Sequence, residues 1–246
     1  MFILTAGALA QTVDSTKGYR HFSGSMGLTN NGIALVPSFS LGRPAAILTF
    51  SAGTDQFAFE PDIRYTLDFK RGGMALFFRY RPKMKGRFQF ATGFNPAYNF
   101  FTKNIMDNGQ THEIIQAQRF VGTEIVPNYI LNSHLSVGMY YLYGHGLQKD
   151  GPMNLHFITL NMNLTNVRVS NNLLFQVMPQ IYYLKQDAQD GYYFTATGGF
   201  VHKKIPVSVF STINAEIRSN VAGSKPFDWN ISVLYSFNKA YAKMKR

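Results

Sequence analysis

The side chains best placed to do chemistry in this chain are charged residues that alternate with apolar ones over three neighbouring segments. From 57 to 68, Glu60, Asp62, Arg64, Thr66 and Asp68 share one strand face, and Phe57, Phe59, Pro61, Ile63, Tyr65 and Leu67 share the other. The next segment sets Arg79 and Arg81 against Met74, Leu76, Phe78 and Tyr80. The one after it sets Arg87, Gln89 and Asn95 against Phe88, Phe90 and Phe94. Glu124 is the charged member of a later polar face with Gln118, Gly122 and Asn128. A two-residue hairpin loop at Arg71-Gly72 would put Asp62 opposite Arg81 and Arg64 opposite Arg79, with Arg87 beside Arg81. Such a row, richer in arginine than in carboxylate and with Glu60 close by, suits two roles. It can be a constriction that prefers anions, or an ion-pair network that fills a narrow interior. The residues leave both open.

Other chemistries lack their parts. The chain has no cysteine, which removes thiolate catalysis and Cys-ligated zinc. Nucleophilic catalysis needs a Ser or Thr with a base in reach and a group orienting that base. No triad pattern sets a Ser, a His and an orienting acid together on one strand. His145 and His156 fall beside one set of loops, and His134 and His202 beside the opposite turns. Metal spacings and a Gly-rich phosphate cradle are equally missing, so no cofactor is expected. Asp150, Asp187 and Asp190 fall in loops, where they could bind Ca²⁺ or bridge lipopolysaccharide, and where solvated acids are the simpler reading. The net charge of +11 comes with a basic C-terminal run and small clusters at Lys83-Lys85-Arg87 and Lys203-Lys204. No recognition-helix pattern accompanies them, so nucleic acid is not an expected partner.

The elements that must position these residues are strands. The segment Trp229-Asn230-Ile231-Ser232-Val233-Leu234-Tyr235-Ser236-Phe237 alternates strictly except at Leu234, and about a dozen segments repeat the pattern. Strands are expected near 19–29, 32–41, 45–53, 57–69, 74–81, 87–97, 112–130, 134–145, 154–164, 173–185, 191–202, 206–217 and 228–237. Pro37 and Pro44 argue that one of the first three does not cross, because proline cannot donate to a ladder. A closed antiparallel transmembrane β-barrel of about twelve strands follows, ten or fourteen being the alternatives. Connections at 82–86, 132–133 and 203–205 are short, and those at 98–111, 146–153, 186–190 and 218–227 are expected to be longer. That asymmetry puts the short turns in the periplasm. Tyr140, Tyr141, Tyr143, Tyr182, Tyr183, Tyr192 and Tyr193 are expected at the outer rim, and Tyr129, Tyr235 and Phe237 at the inner one. Charged residues make up only 15%, and no run of about eighteen apolar residues exists to form a membrane helix. Residues 1–10 read as the remnant of a secretory signal, 11–237 as the barrel and 238–246 as a basic periplasmic tail.

With these signals in place, the chain resembles the small outer-membrane β-barrels frequent in Bacteroidota. The phrases Thr29-Asn30-Asn31-Gly32-Ile33, Ser40-Leu41-Gly42-Arg43-Pro44-Ala45-Ala46, Gly138-Met139-Tyr140-Tyr141-Leu142-Tyr143 and Tyr235-Ser236-Phe237-Asn238-Lys239 carry the resemblance. It implies an outer-membrane location among lipid and lipopolysaccharide, and it transfers no functional residue. The expected function is non-enzymatic: a porin-like channel for small polar or anionic solutes. The alternatives are an accessory barrel that binds partner proteins through its loops or tail, and an outer-membrane lipid-modifying enzyme.

Overall fold

The period-two pattern folds into a closed barrel of twelve antiparallel strands, each paired with its neighbour in the chain and the first with the last. The computed structural model describes residues 19–107, 109–149 and 151–242. The signal-like segment 1–10, Asp150 and residues 243–246 lie outside the described residues. The strands are β1 (Tyr19–Thr29), β2 (Ala45–Thr54), β3 (Phe57–Thr66), β4 (Arg71–Tyr80), β5 (Phe88–Asp107) and β6 (Gln110–Ile130). They continue with β7 (Leu135–Gly146), β8 (Asn154–Arg168), β9 (Leu173–Gln186), β10 (Gln189–His202), β11 (Val207–Ser219) and β12 (Phe227–Ala242). No helix among the described residues is long and apolar enough to cross a membrane.

The segment 32–41 is the candidate strand that does not cross. It belongs to the first loop, 30–44, with a single 3₁₀ turn at Pro37–Phe39. Pro37 has no N–H to give a ladder and a φ suited to a tight turn. The loop is closed at its neck, where Gly32 N–H donates to Arg43 O (2.9 Å) and Leu41 N–H donates to Gly32 O (2.8 Å). A Cβ on Gly32 would come within 2.9 Å of Leu41 Cβ, so the neck needs glycine there. Ile33, Ala34, Leu35, Val36 and Leu41 are buried, because the loop turns into the barrel.

One barrel end carries the chain termini and the turns 55–56, 81–87, 131–134, 169–172 and 203–206. The loop end carries 30–44, 67–70, 108–109, 147–153, 187–188 and 220–226. Two expected long loops are therefore short. The stretch 98–111 is mostly strand, in a β5–β6 hairpin that runs past its neighbours: β4 stops pairing β5 at Phe101, and β7 stops pairing β6 at Phe120. The stretch 186–190 is a tight hairpin at Asp187-Ala188, with Asp187 at φ 51°.

The β3–β4 register also differs from expectation. The turn is Leu67 to Lys70, not Arg71-Gly72, so Asp62 faces Ala75, Arg64 faces Gly73 and Ala58 faces Arg79. Asp68 builds this turn. Its carboxylate accepts from the Thr66 hydroxyl (2.5 Å), from the Lys70 N–H (3.1 Å) and from Arg43 (2.7 Å). Those bonds favour the charged form and hold its pKa at about 2. At the other end of the chain, β12 runs past Phe237 to Ala242 and pairs 238–242 with 19–23 of β1.

Burial alternates along the strands as the sequence pattern requires. Outward faces carry exposed apolar side chains such as Phe59, Phe78, Leu160, Ile181 and Val233. Toward the loop end the interior is also apolar. Tyr140, Leu142, Leu155, Phe157, Tyr182, Leu184 and Tyr193 pack there with Leu35 and Val36 of the first loop and Val221 of a later one. Three of the tyrosines expected at the rim thus sit inside, each 1% exposed. Tyr183 and Tyr192 do face outward, with ring centroids 4.9 Å apart.

Candidate functional site

In the terminus-side half of the barrel, β3, β4 and β6 turn their charged side chains to the same interior wall. Arg79 on β4 reaches Glu60 on β3 with Nη1–Oε2 at 2.5 Å, and grips both oxygens of Glu124 on β6. Glu60 also accepts from Arg81 at 2.7 Å. Glu124 has no side-chain exposure and takes a further hydrogen bond from the Tyr140 hydroxyl on β7 at 2.6 Å. Gly93 makes room for it, since a Cβ there would lie 2.9 Å from Glu124 Oε1. Phe77 gives the Arg79 guanidinium an aromatic face at 4.5 Å.

A second pair lies toward the loop end. Asp62 and Arg64, two apart on β3, share a face and bond in two places, at 2.9 and 3.1 Å. Arg64 also donates to the Ile33 carbonyl at 3.4 Å and so ties the first loop to the wall.

Six of the seven residues singled out from the sequence are therefore engaged in two ion-pair groups: Glu60, Asp62, Arg64, Arg79, Arg81 and Glu124. The partners differ from the expected row of Asp62, Arg81 and Arg87. Asp62 pairs along its own strand, and Arg81 pairs with Glu60. Arg87 joins neither group and is exposed in the turn before β5. The two groups hold three arginines and three carboxylates, so the expected excess of positive charge is not there. Buried charges so paired hold one arrangement of the wall in place, and their mutual attraction offsets the cost of desolvation.

Reading the sequence strand by strand missed an extension of this network. His21 Nε2 lies 2.8 Å from Ser51 Oγ, and Ser51 donates to Glu60 Oε1 at 2.9 Å. The three sit on β1, β2 and β3, and only the register brings them together. A serine beside a histidine suggests a nucleophile and its base. Here the one hydroxyl proton goes to the Glu60 carboxylate, which can only accept, so His21 donates to the serine instead of drawing its proton. The arrangement holds Glu60 in place. Among the described residues, no three acids or histidines converge as a metal site.

Above the charged wall, side chains of the first loop pack into the interior. A cavity of about 60 Å³ remains under the first loop, walled by Gly73, Ala75, Ala97, Gly122 and Gly144 and roofed by Val36 and Phe39. Small wall residues leave the space, and loop side chains fill it. Phe39 packs on Phe120 of β6 with ring centroids 5.2 Å apart.

A twelve-stranded closed wall with an inward-folded loop can be compared with solved structures. The chain is similar to KdgM porin, seen in complex with disordered oligogalacturonate, at 12% identity and a TM-score of 0.51, over 89% of this chain and 99% of that one. It is similar to NanC porin at 11% identity and a TM-score of 0.51, over 91% and 100% of the two chains. The translocator domain of the autotransporter NalP from Neisseria meningitidis matches at 10% identity and a TM-score of 0.52, over 95% and 92%. The fold is that of a porin-like barrel. No protein-family model and no curated protein sequence matches the chain.

Proposed function

We propose that this chain is a non-enzymatic, porin-like barrel of the bacterial outer membrane, closed in the described state by its first loop, and that small polar solutes, anions among them, pass when the loop leaves its seat. Two aromatic belts support the membrane reading. Tyr65 and Tyr98, with hydroxyls 3.1 Å apart, and Tyr183 and Tyr192 face outward near the loop end. Phe57 and Tyr80, Phe175 and Phe200, and Phe22 and Phe237 face outward near the terminus end. Tyr192 and Phe200 are eight residues apart on β10. At about 3.3 Å per residue and a tilt of about 40°, the belts are roughly 20 Å apart, close to the apolar height of outer-membrane barrels.

The observation that carries the channel reading is what fills the passage. On β1 and β2 most inward residues are small and polar, among them Ser23, Ser25, Thr49 and Ser51, with His21 and Ile47 the larger exceptions. The first loop, not that wall, occupies the space on this side. Its removal would open a hydroxyl-lined path beside the paired charges. The accessory reading has its own support, because Tyr140, Phe157, Tyr182 and Tyr193 are borne by strands and stay when the loop goes.

Planar-bilayer recording separates the two. The full chain should be mostly silent. A variant with 33–40 replaced by a short Gly-Ser linker should show steady openings with a modest preference for anions. Silence from both, with an intact folded barrel, would overturn the channel and leave the accessory barrel.

A further inference from the structure

The net charge of +11 is distributed unevenly along the barrel axis. Inside the barrel, the arginines and carboxylates cancel. At the loop end, cations are interleaved with acids: Arg43 pairs with Asp68 (2.7 Å), Lys70 with Glu113 (2.9 Å) and Lys225 with Asp228 (3.0 Å), and the exposed Arg71, Lys103, Arg119, Lys149, Lys185 and Arg218 share that end with Asp187, Asp190 and Glu216. The Lys70 ammonium there holds the Glu113 carboxyl below its usual range. The terminus end is different. Lys83, Lys85 and Arg87 lie in the turn between β4 and β5, Arg168 ends β8, and Lys203 and Lys204 lie between β10 and β11. All six are exposed. Among the described residues, none of them has a carboxylate within ion-pair distance, and Asp55 is the one acid in the turns at that end.

Their arrangement decides what they face. The cations recur around the circumference, and the seam adds Arg20 on β1 and Lys239 on β12, both on outward faces. Each group sits just beyond the outward aromatics of the terminus end: Lys239 is paired with Phe22, and Tyr80 and Phe88 flank the β4–β5 turn. A protein docking from one side would meet only one sector of such a ring. A plane of negative charge around the whole barrel would meet all of it. Aromatic side chains at headgroup depth followed by unpaired cations are what a leaflet of anionic lipid selects.

We infer that the terminus end is a lipid-recognition collar, holding the phosphates of anionic phospholipids in the leaflet that surrounds it. This rests on the membrane reading proposed above. The collar works through charge and not through shape, so it takes any phospholipid with net negative charge and is weakened by salt.

The test uses the whole chain in nanodiscs of phosphatidylcholine doped with spin-labelled phosphatidylglycerol or spin-labelled phosphatidylcholine. At low salt the anionic label should be enriched at the barrel by several-fold, given roughly fivefold per cation within reach of a headgroup. The enrichment should collapse toward one in 0.5 M salt, about a 4 Å screening length. Lys83→Gln, Lys85→Gln, Lys203→Gln and Lys204→Gln together should remove most of it, while Arg43→Gln and Lys225→Gln at the loop end should leave it unchanged. A barrel that inserts, shows heat-modifiable mobility and retains both labels equally overturns the collar alone, and leaves an acidic protein or polymer as the ring's partner. Failure to enter nanodiscs overturns the membrane reading and the collar with it.

Discussion

Glu124 is fully buried and accepts from both Arg79 and Tyr140, so removing its carboxylate leaves the buried Arg79 guanidinium with the Glu60 carboxylate alone and takes an acceptor from the Tyr140 phenol. Breaking a buried pair from one side costs about 3–5 kcal/mol. Glu124→Ala should lower the stability of the refolded barrel by that order, read from urea unfolding in lipid vesicles. Arg79→Met should restore part of the loss when combined with it, because the under-paired charge is then gone. Asp62 and Arg81 share no partner, so their alanine variants should add to within about 0.5 kcal/mol. A strong coupling between those two would restore the row expected from the sequence and refute the register seen here. Which face each of these residues occupies was legible from alternation alone. Which residue each one meets was not, because partners depend on turn length. Arg71-Gly72 has the composition of a hairpin turn, yet Asp68 makes a better one three residues earlier, with Phe69 accepting a positive φ of 56°.

At the scale of elements, alternation located the twelve crossings, and the two prolines marked the segment that does not cross. Two features were harder to see. The stretch Met139-Tyr140-Tyr141-Leu142-Tyr143 is apolar on both faces, which is the mark of a strand buried on both sides. Reading it as a rim overlooked the interior cluster that Tyr140 and Leu142 join. The far part of the β5–β6 hairpin is largely exposed on both faces and mixes polar and apolar residues without a period of two, and such a stretch is indistinguishable from a loop without register. The end of β12 offers a test of its own. Phe237 packs on Phe22 and Phe50 at the seam, with ring centroids 5.2 and 6.4 Å away. Ending the chain at Ser236 should abolish the heat-modifiable, folded band in detergent refolding. Ending it at Asn238 removes only the last rungs with β1 and should leave a folded band of lower melting temperature. Equal refolding of both truncations would show that the seam does not depend on Phe237.

For the molecule as a whole, an apolar outer surface between two aromatic belts requires detergent or lipid. The unboiled protein should migrate faster than the boiled one on a gel, with a β-dominated circular dichroism spectrum; a stable monomer in plain buffer would sink the membrane assignment. The closure of the barrel has a further consequence. The seam pairs Tyr19 with Ala242, the most distant parts of the described chain. Joining such distant segments costs more loop entropy than zipping neighbouring hairpins, so the seam is expected to form late. The first loop belongs to the earliest hairpin, and besides its ties to Arg64 and Asp68 it bonds to the final strand: Asn31 donates to Asp228 at 2.6 Å, and Asn230 donates to the Asn31 carbonyl at 3.1 Å. The stopper is thus made first and fastened last. Whatever completes the circle must do so with the stopper already inside, and the same bonds that shut the wall then lock it there.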